Sequence, residues 1–170
     1  MAELRSRSGF WMLVQIKFNE NNKKGIPVVK RETYVVEAAT FIDAEQRIHD
    51  EMNYNNRPIT VSAISRPTFG EICFSSDAEA ENFYKVKVQT SEEVSVKTRK
   101  GGYRTKTKIT SHYYLVQAAN VEDARTAVKD EIYKSSNEQY EIADIVKTRI
   151  LDVLEYQKHL QTLAGTDAGK

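Results

Sequence analysis

The chain has 170 residues, of which 40% are hydrophobic and 29% are charged, and its formal net charge is +1. This length and composition are typical of a globular protein of one or two small domains, and they exclude wholesale disorder and a polycation. Any attraction to nucleic acid must therefore come from local clusters of charge.

The N-terminal stretch carries two arginines and then an apolar run, which predicts a first strand at residues 11–18. Gln15 and Lys17 interrupt this run, and no segment of the chain is long enough to span a membrane. The single cysteine, Cys73, rules out an internal disulfide, and its apolar neighbours predict a buried thiol. We expect no membrane partner and a cytoplasmic location.

Two segments of the chain match each other at an offset of 80 residues. Between residues 34 and 52, eight of nineteen positions are identical to those between 114 and 132. Ungapped identity of this density predicts an internal duplication. The predicted fold is therefore α+β, with two fused β-β-α-β repeats related by a pseudo-two-fold axis, each having an antiparallel sheet with a helix on one face.

The predicted strands are rich in β-branched and aromatic residues that partly alternate with polar ones. They lie at 11–18, 28–38 and 60–65 in the first repeat, with an extended continuation at 71–74, and at 83–90, 105–118 and 140–146 in the second, with a continuation at 151–154. A short connecting helix is predicted within 75–81 and a last helix at about 155–163. The predicted domains are 1–76, 77–156 with a long basic hairpin at 91–111, and a C-terminal helix and tail at 157–170, joined in one compact body.

The two predicted helices have matching start signals. Thr40 and Asn120 are good N-cap residues, and Asp43 and Asp123 follow three positions later, as in a capping box. Apolar residues recur at helical spacing and define one buried face on each helix: Phe41, Ala44, Ile48 and Met52, and Val121, Ala124, Val128 and Ile132.

Catalytic signals are few. His49, His112 and His159 stand far apart, and the sequence contains no nucleophile elbow, phosphate-binding glycine loop or paired-cysteine motif. The repeated acid pairs at 50–51 and 130–131 fall late in the helices, where a solvated face is expected. We therefore predict a protein that is not an enzyme and that uses no cofactor, metal or small-molecule substrate, and an enzyme built around paired acids is the third alternative.

A basic hairpin is the strongest functional signal in the sequence. Gly101 and Gly102 predict a two-residue primed turn. This turn would put Val94 and Val96 on one face with the threonines of the returning strand, and the lysines on the other. The predicted nucleic-acid contacts here are Lys97, Arg99, Lys100, Tyr103, Arg104, Lys106 and Lys108.

The first hairpin is shorter but is also basic. Its turn at 21–25 and the strand that follows add four predicted contacts: Lys23, Lys24, Lys30 and Arg31. Two such tips at equivalent places would contact phosphates together, with Tyr103 stacking on a base, so DNA or RNA is the leading expected partner. Two alternatives stay open: charge that only maintains solubility, and docking on a protein partner or another copy of the chain.

The residues resemble those of an uncharacterised family. The resemblance rests on WMLVQIKF at 11–18, YVVEA at 34–38, DAE at 43–45, ICFSSD at 72–77 and FYKVKV at 83–88, and it covers about Phe10 to Tyr156. That family is catalogued as a domain of unknown function of Bacteroidetes and their phages. The resemblance implies no catalytic residue, and it favours a binding, accessory or assembly role related to phages or mobile elements.

Overall fold

The computed structural model describes residues 3–54, 56 and 58–156 of the chain. These residues form nine strands, two α-helices and one π-helical segment. In chain order they are β1 (Leu4–Ser8), β2 (Trp11–Asn21), β3 (Pro27–Glu37), α1 (Phe41–Tyr54), β4 (Thr60–Ser65), β5 (Glu71–Ser75), β6 (Asn82–Lys97), β7 (Tyr103–Ala118), α2 (Val121–Ala127), the π-helical segment (Val128–Ile132), β8 (Gln139–Lys147) and β9 (Ile150–Leu154). The fold class is mixed α+β, as predicted.

The chain divides into two compact units. The first unit comprises Gly9–Thr68 with the described residues from Arg149 onward, and the second comprises the described residues up to Ser8 with Phe69–Thr148. The sheet of the first unit has the order β4-β2-β3-β9, and that of the second has the order β1-β5-β7-β6-β8. In each sheet a long antiparallel hairpin lies at the centre, β2–β3 in one and β6–β7 in the other.

Each unit has its own hydrophobic core between the helix and one sheet face. In the first unit, alternate strand residues such as Val14 and Ile16 pack with Ala44 and Ile48 of α1. In the second, Val86 and Val88 pack with Ala124, and the core also takes in Val128 of the π-helical segment. Apolar residues at every second position of the strands and at every third or fourth position of the helices therefore face the cores, as the sequence pattern predicts.

The first member of each predicted helix face is an exception. Phe41 and Val121 are exposed, although both continue the apolar pattern of their helices. Each is the first helical residue, so it has no preceding turn of helix beside it. The buried face therefore begins one turn later, at Ala44 and Ala124.

The predicted N-caps at Thr40 and Asn120 are confirmed, whereas the aspartate side chains take other donors than the N-cap N–H of a capping box: the Ala39 N–H for Asp43 and the Asn120 side-chain amide for Asp123. The Asp43 N–H donates to Thr40 Oγ1 over 3.1 Å, and the Ala39 N–H donates to the Asp43 carboxylate over 3.3 Å. On the second helix the Asp123 N–H donates to Asn120 Oδ1 over 3.0 Å. Each cap satisfies an N–H group that the first turn of a helix leaves unpaired.

The two units do not coincide with the predicted segments 1–76 and 77–156, because β1 and β5 belong to the sheet of the second unit and β9 belongs to the sheet of the first. Strand β5 follows β4 along the chain but pairs in parallel with β7, and β9 follows β8 but pairs in parallel with β3. Strand β1 pairs with β5 and so joins the second unit. The extended segments predicted at 71–74 and 151–154 do form strands, β5 and β9. Their order along the chain did not predict the strand with which each of them pairs.

The predicted connecting helix within 75–81 is wrong. The Asp77 N–H donates to Ser75 Oγ and the Glu79 N–H donates to Asp77 Oδ1, while the Ala80 N–H closes a turn on the Asp77 carbonyl. Serine and aspartate side chains here compete with helical hydrogen bonds, and β6 starts at Asn82, which leaves no room for a helix.

The predicted C-terminal helix at 155–163 and the tail to 170 lie largely outside the described residues, which end at 156. Neither α1 nor α2, the α-helices of the described part, has the length and hydropathy needed to cross a membrane. Residues 3–54, 56 and 58–156 contain no group of three or more His, Cys, Asp or Glu side chains placed so that they could hold a metal ion.

Candidate nucleic-acid interface

The β6–β7 hairpin extends past the strands on both sides of it. Its pairing runs from Asn82 opposite Ala118 to Lys97 opposite Tyr103. The neighbour β8 pairs with β6 only up to Ser91, and the neighbour β5 pairs with β7 only at residues 114–116. Residues 92–108 therefore form a two-stranded extension, which we call the ribbon.

The ribbon ends in a three-residue loop, so the predicted two-residue turn is wrong. The Gly101 N–H donates to the Thr98 carbonyl over 3.0 Å, and the Thr98 N–H donates to the Gly102 carbonyl over 2.7 Å. Gly101 has a φ of +84°, the left-handed conformation that glycine adopts without strain. This is the hairpin loop in which a turn is followed by a left-handed glycine bulge.

The new register changes which side chains share a face of the ribbon. Arg104 lies opposite Val96, Lys106 opposite Val94 and Lys108 opposite Glu92. These six residues share one side of the ribbon, which we call the arginine–lysine face. The prediction that the valines lie on the face opposite the lysines is wrong. The observed pairing shifts β7 by an odd number of residues relative to the predicted pairing, and such a shift moves every side chain of one strand to the other face.

The opposite side of the ribbon, which we call the tyrosine face, carries less charge. Lys97 lies here opposite Tyr103, and Ser95 lies opposite Thr105. Tyr103 on this side is 74% exposed, and Ile109, which follows the ribbon on the same side of β7, is 64% exposed. Lys97 and Tyr103 therefore lie on the face opposite the row of Arg104, Lys106 and Lys108. A base stacked on Tyr103 would not lie on the face that carries this row.

The ribbon is strongly basic although the whole chain is nearly neutral. Residues 92–108 contain six basic side chains and two acidic ones. The seven predicted contacts in this hairpin are all exposed. Val94 and Val96 are only half-buried opposite Lys106 and Arg104, an arrangement in which aliphatic stems of basic side chains cover apolar neighbours while their charged ends stay in water.

The first hairpin ends in the same kind of loop. The Gly25 N–H donates to the Asn22 carbonyl and the Asn22 N–H donates to the Ile26 carbonyl, each over 2.9 Å. Gly25 has a φ of +76°. Asn22, Lys23, Lys24 and Gly25 thus occupy the loop positions that Thr98, Arg99, Lys100 and Gly101 occupy in the ribbon, with two adjacent cations at each tip.

The other two predicted contacts of the first hairpin lie on different faces. Lys30 is exposed and lies 3.8 Å from the Glu20 carboxylate, so its charge is partly neutralised. Arg31 lies directly opposite Lys17 on the other face. Lys17 was missed by sequence reasoning, because its position beside Arg31 depends on a register that the local pattern does not specify.

Four titratable side chains of the second unit, Cys73, Tyr114, Tyr133 and Glu131, lie in structural environments. Burial raises the pKa of the Cys73 thiol from 9.0 to about 12, with further contributions from Glu131 and Glu71. The hydroxyl groups of Tyr114 and Tyr133 lie 3.1 Å apart. Glu131, one of the repeated acids, accepts from the Ser6 N–H of β1 over 3.3 Å, which gives it a role in holding that strand.

These observations define the class of protein: a mixed α+β chain with two sheet-and-helix units and one long basic β-ribbon. The chain belongs to the family described as a domain of unknown function, DUF4494, whose pattern matches residues 10–156. This confirms the predicted family resemblance and its extent. Neither the curated proteins nor the solved structures include a match to the chain.

Proposed function

We propose that this protein is a non-enzymatic nucleic-acid-binding accessory protein that uses the ribbon as its main contact. The observation that carries the proposal is the row of Arg104, Lys106 and Lys108 along one face of the ribbon, with Arg99 and Lys100 at its tip. Phosphate contacts from clustered lysine and arginine supply most of the affinity in non-specific nucleic-acid binding. A role in phage or mobile-element DNA metabolism is part of the same proposal.

The pairing within the ribbon argues against charge that serves solubility alone. Exposed ribbons gain stability when opposite charges face each other across the strands. Here only Lys108 lies opposite an acid, whereas Arg104 and Lys106 lie opposite valines. The two cations thus add positive potential without a cross-strand ion pair, which favours an external anionic partner.

The first hairpin supplies a second observation of the same kind. Lys17 and Arg31 are directly opposite each other, and like charges in this position destabilise a sheet. A phosphate between them would relieve the repulsion. We therefore include this pair with Lys23 and Lys24 as a second basic contact.

An internal duplication is part of the same proposal, and it would account for the presence of two basic hairpin tips in one chain. Apart from β1, the two sheets have the same strand order when read from the strand after the helix, β4-β2-β3-β9 and β8-β6-β7-β5. Both central hairpins end in a loop with a left-handed glycine. We infer that the units descend from one repeated β-β-α-β segment, and that the ribbon is an elongated copy of the first hairpin.

The test is a fluorescence-anisotropy titration with single- and double-stranded DNA and RNA at two salt concentrations. We expect affinity to fall steeply with salt, and the double variant Arg99→Ala/Lys100→Ala at the tip of the ribbon to reduce the log–log slope by about 2 for duplex DNA, since each phosphate contact contributes roughly 0.9. The matched control is Lys129→Ala/Lys134→Ala, which removes two exposed charges outside the ribbon. Equal effects of the two double variants, or no binding at low salt, would refute the proposal.

A protein-interaction role is the second candidate, and the tyrosine face favours it. Tyr103 and Ile109, the residue that follows the ribbon, are large, exposed and on the same side of β7. An apolar contact with a protein or with another copy of the chain would respond weakly to salt. Sedimentation that shows self-association abolished by Tyr103→Ala, without nucleic-acid binding, would favour this candidate.

A further inference from the structure

We propose that the arginine–lysine face of the ribbon enters the major groove of duplex DNA and recognises guanines at alternate base pairs. This inference rests on the proposed nucleic-acid-binding function and makes it specific. It depends on three properties of the face: its width, the spacing of its cations and the hydrogen-bonding character of its side chains.

The ribbon has the dimensions of a groove-binding element. Two strands lie about 4.8 Å apart, and the B-DNA major groove, about 12 Å wide, admits a two-stranded β-ribbon. The extension runs from Glu92 opposite Lys108 to Lys97 opposite Tyr103. At about 3.4 Å per residue its paired part is roughly 17 Å long, which corresponds to about five base-pair steps.

The cations repeat with a spacing that matches alternate base pairs. Arg104, Lys106 and Lys108 are separated by two residues each on β7. Two strand residues rise about 6.8 Å, and two base pairs of B-DNA rise about the same distance. A ribbon that lies along the groove would therefore present one cation to every second base pair.

The chemistry of the face selects guanine. Arginine and lysine are pure hydrogen-bond donors, and guanine presents two acceptors, O6 and N7, at its major-groove edge. Cytosine presents a donor there, adenine pairs one acceptor with a donor, and thymine presents the single acceptor O4 beside its methyl group, so guanine alone offers two acceptors to one side chain. Val94 and Val96 lie directly opposite Lys106 and Arg104 on the same face and offer no acceptor. The acceptor Glu92 lies directly opposite Lys108 at the base of the ribbon.

The same geometry excludes double-stranded RNA as the preferred ligand. The major groove of A-form RNA is deep and narrow, and side chains cannot read it. Single strands are also disfavoured, because Tyr103, the aromatic side chain of the ribbon, lies on the tyrosine face and not beside the cation row.

The experiment compares two duplexes in the anisotropy assay with the full chain. One duplex carries guanine at three alternate positions of one strand, and the other carries 7-deazaguanine, which lacks the N7 acceptor, at those positions. We expect the 7-deazaguanine duplex to bind roughly tenfold or more weakly, the effect of losing major-groove contacts to guanine. Equal affinity for the two duplexes overturns the readout while the proposed nucleic-acid binding stands.

Two single variants, each of which removes one positive charge, test the contribution of each face of the ribbon to the readout. Lys106→Ala, on the arginine–lysine face, is expected to reduce the ratio of affinities for the two duplexes. Lys97→Ala, on the tyrosine face, is expected to lower both affinities alike and to preserve that ratio. Both residues are exposed, so circular dichroism should show an intact fold. A ratio that responds equally to both variants, or tighter binding of a single strand, overturns the inference; absence of binding to every ligand overturns the proposed function as well.

Discussion

Cys73 shows how one side chain takes its chemistry from its position. It is fully buried in the second unit, and burial raises the pKa of its thiol to about 12. Because the thiolate is the nucleophile, a cysteine in this environment is inert. The burial was predicted from its apolar neighbours, whereas the contributions of Glu71 and Glu131 to its pKa depend on the fold.

The raised pKa predicts a loss of stability at high pH. The unfolded thiol ionises near pH 9, and the native thiol keeps its proton until about pH 12, so the unfolded state releases a proton as the pH rises. We expect the free energy of unfolding, measured by urea denaturation, to decrease between pH 9 and pH 12. Cys73→Ala should weaken this decrease. A decrease of the same slope in the variant would contradict the assignment.

At the scale of the element, the hairpin loop determines what the ribbon presents. A two-residue turn at Gly101 and Gly102 would have placed Val96 opposite Thr107 and Val94 opposite Ile109. The observed loop at residues 99–101 places them opposite Arg104 and Lys106. The helix caps, in contrast, do not depend on pairing with another element. Thr40 and Asn120 accept from N–H groups three residues later in the same helix, so the sequence alone was enough to recognise them.

The left-handed glycine predicts a sensitive position in the ribbon. Gly101→Ala should cost roughly 1–2 kcal/mol, because an L-residue is strained at positive φ even though no atom lies within 4 Å of the new Cβ. We expect amide hydrogen exchange at Thr98 to become about ten times faster. Gly102→Ala is the control, since its Cβ would lie an ordinary 3.5 Å from Thr98 Oγ1. Equal protection in the two variants would rule out the glycine requirement.

At the scale of the whole molecule, strands from one segment complete the sheet built mainly by the other. Strand β5 lies within 1–76 but pairs with β7, and β9 lies within 77–156 but pairs with β3. Both pairings are parallel, and both fill the open edge of a central hairpin. Neither segment therefore contains all the strands of either sheet.

This arrangement predicts complementation between fragments. Residues 1–76 and 77–170, expressed separately, should each lack native structure, because each leaves one long central strand without its parallel neighbour. When they are mixed, the folded state should form again. The measurement is the dispersion of amide signals in NMR spectra of each fragment and of the mixture. A well-dispersed spectrum from residues 1–76 alone would show that the exchanged strand is dispensable.

The local features of this protein follow from its amino-acid sequence alone. Alternation in the strands, apolar spacing in the helices, the caps at Thr40 and Asn120 and the basic composition of the ribbon all depend on residues close together along the chain. The α+β class agrees with what those patterns predicted, and the family match over residues 10–156 agrees with the resemblance of the sequence to an uncharacterised family.

Only the tertiary structure decided how distant residues pair. The separation of Lys97 from Lys106 depends on one hydrogen-bonded loop, and the exchange of β5 and β9 depends on which sheet edges are open. The physical reason is that a strand carries the same hydrogen-bonding groups whichever partner it takes, so its sequence specifies the face it buries more strongly than the neighbour it chooses.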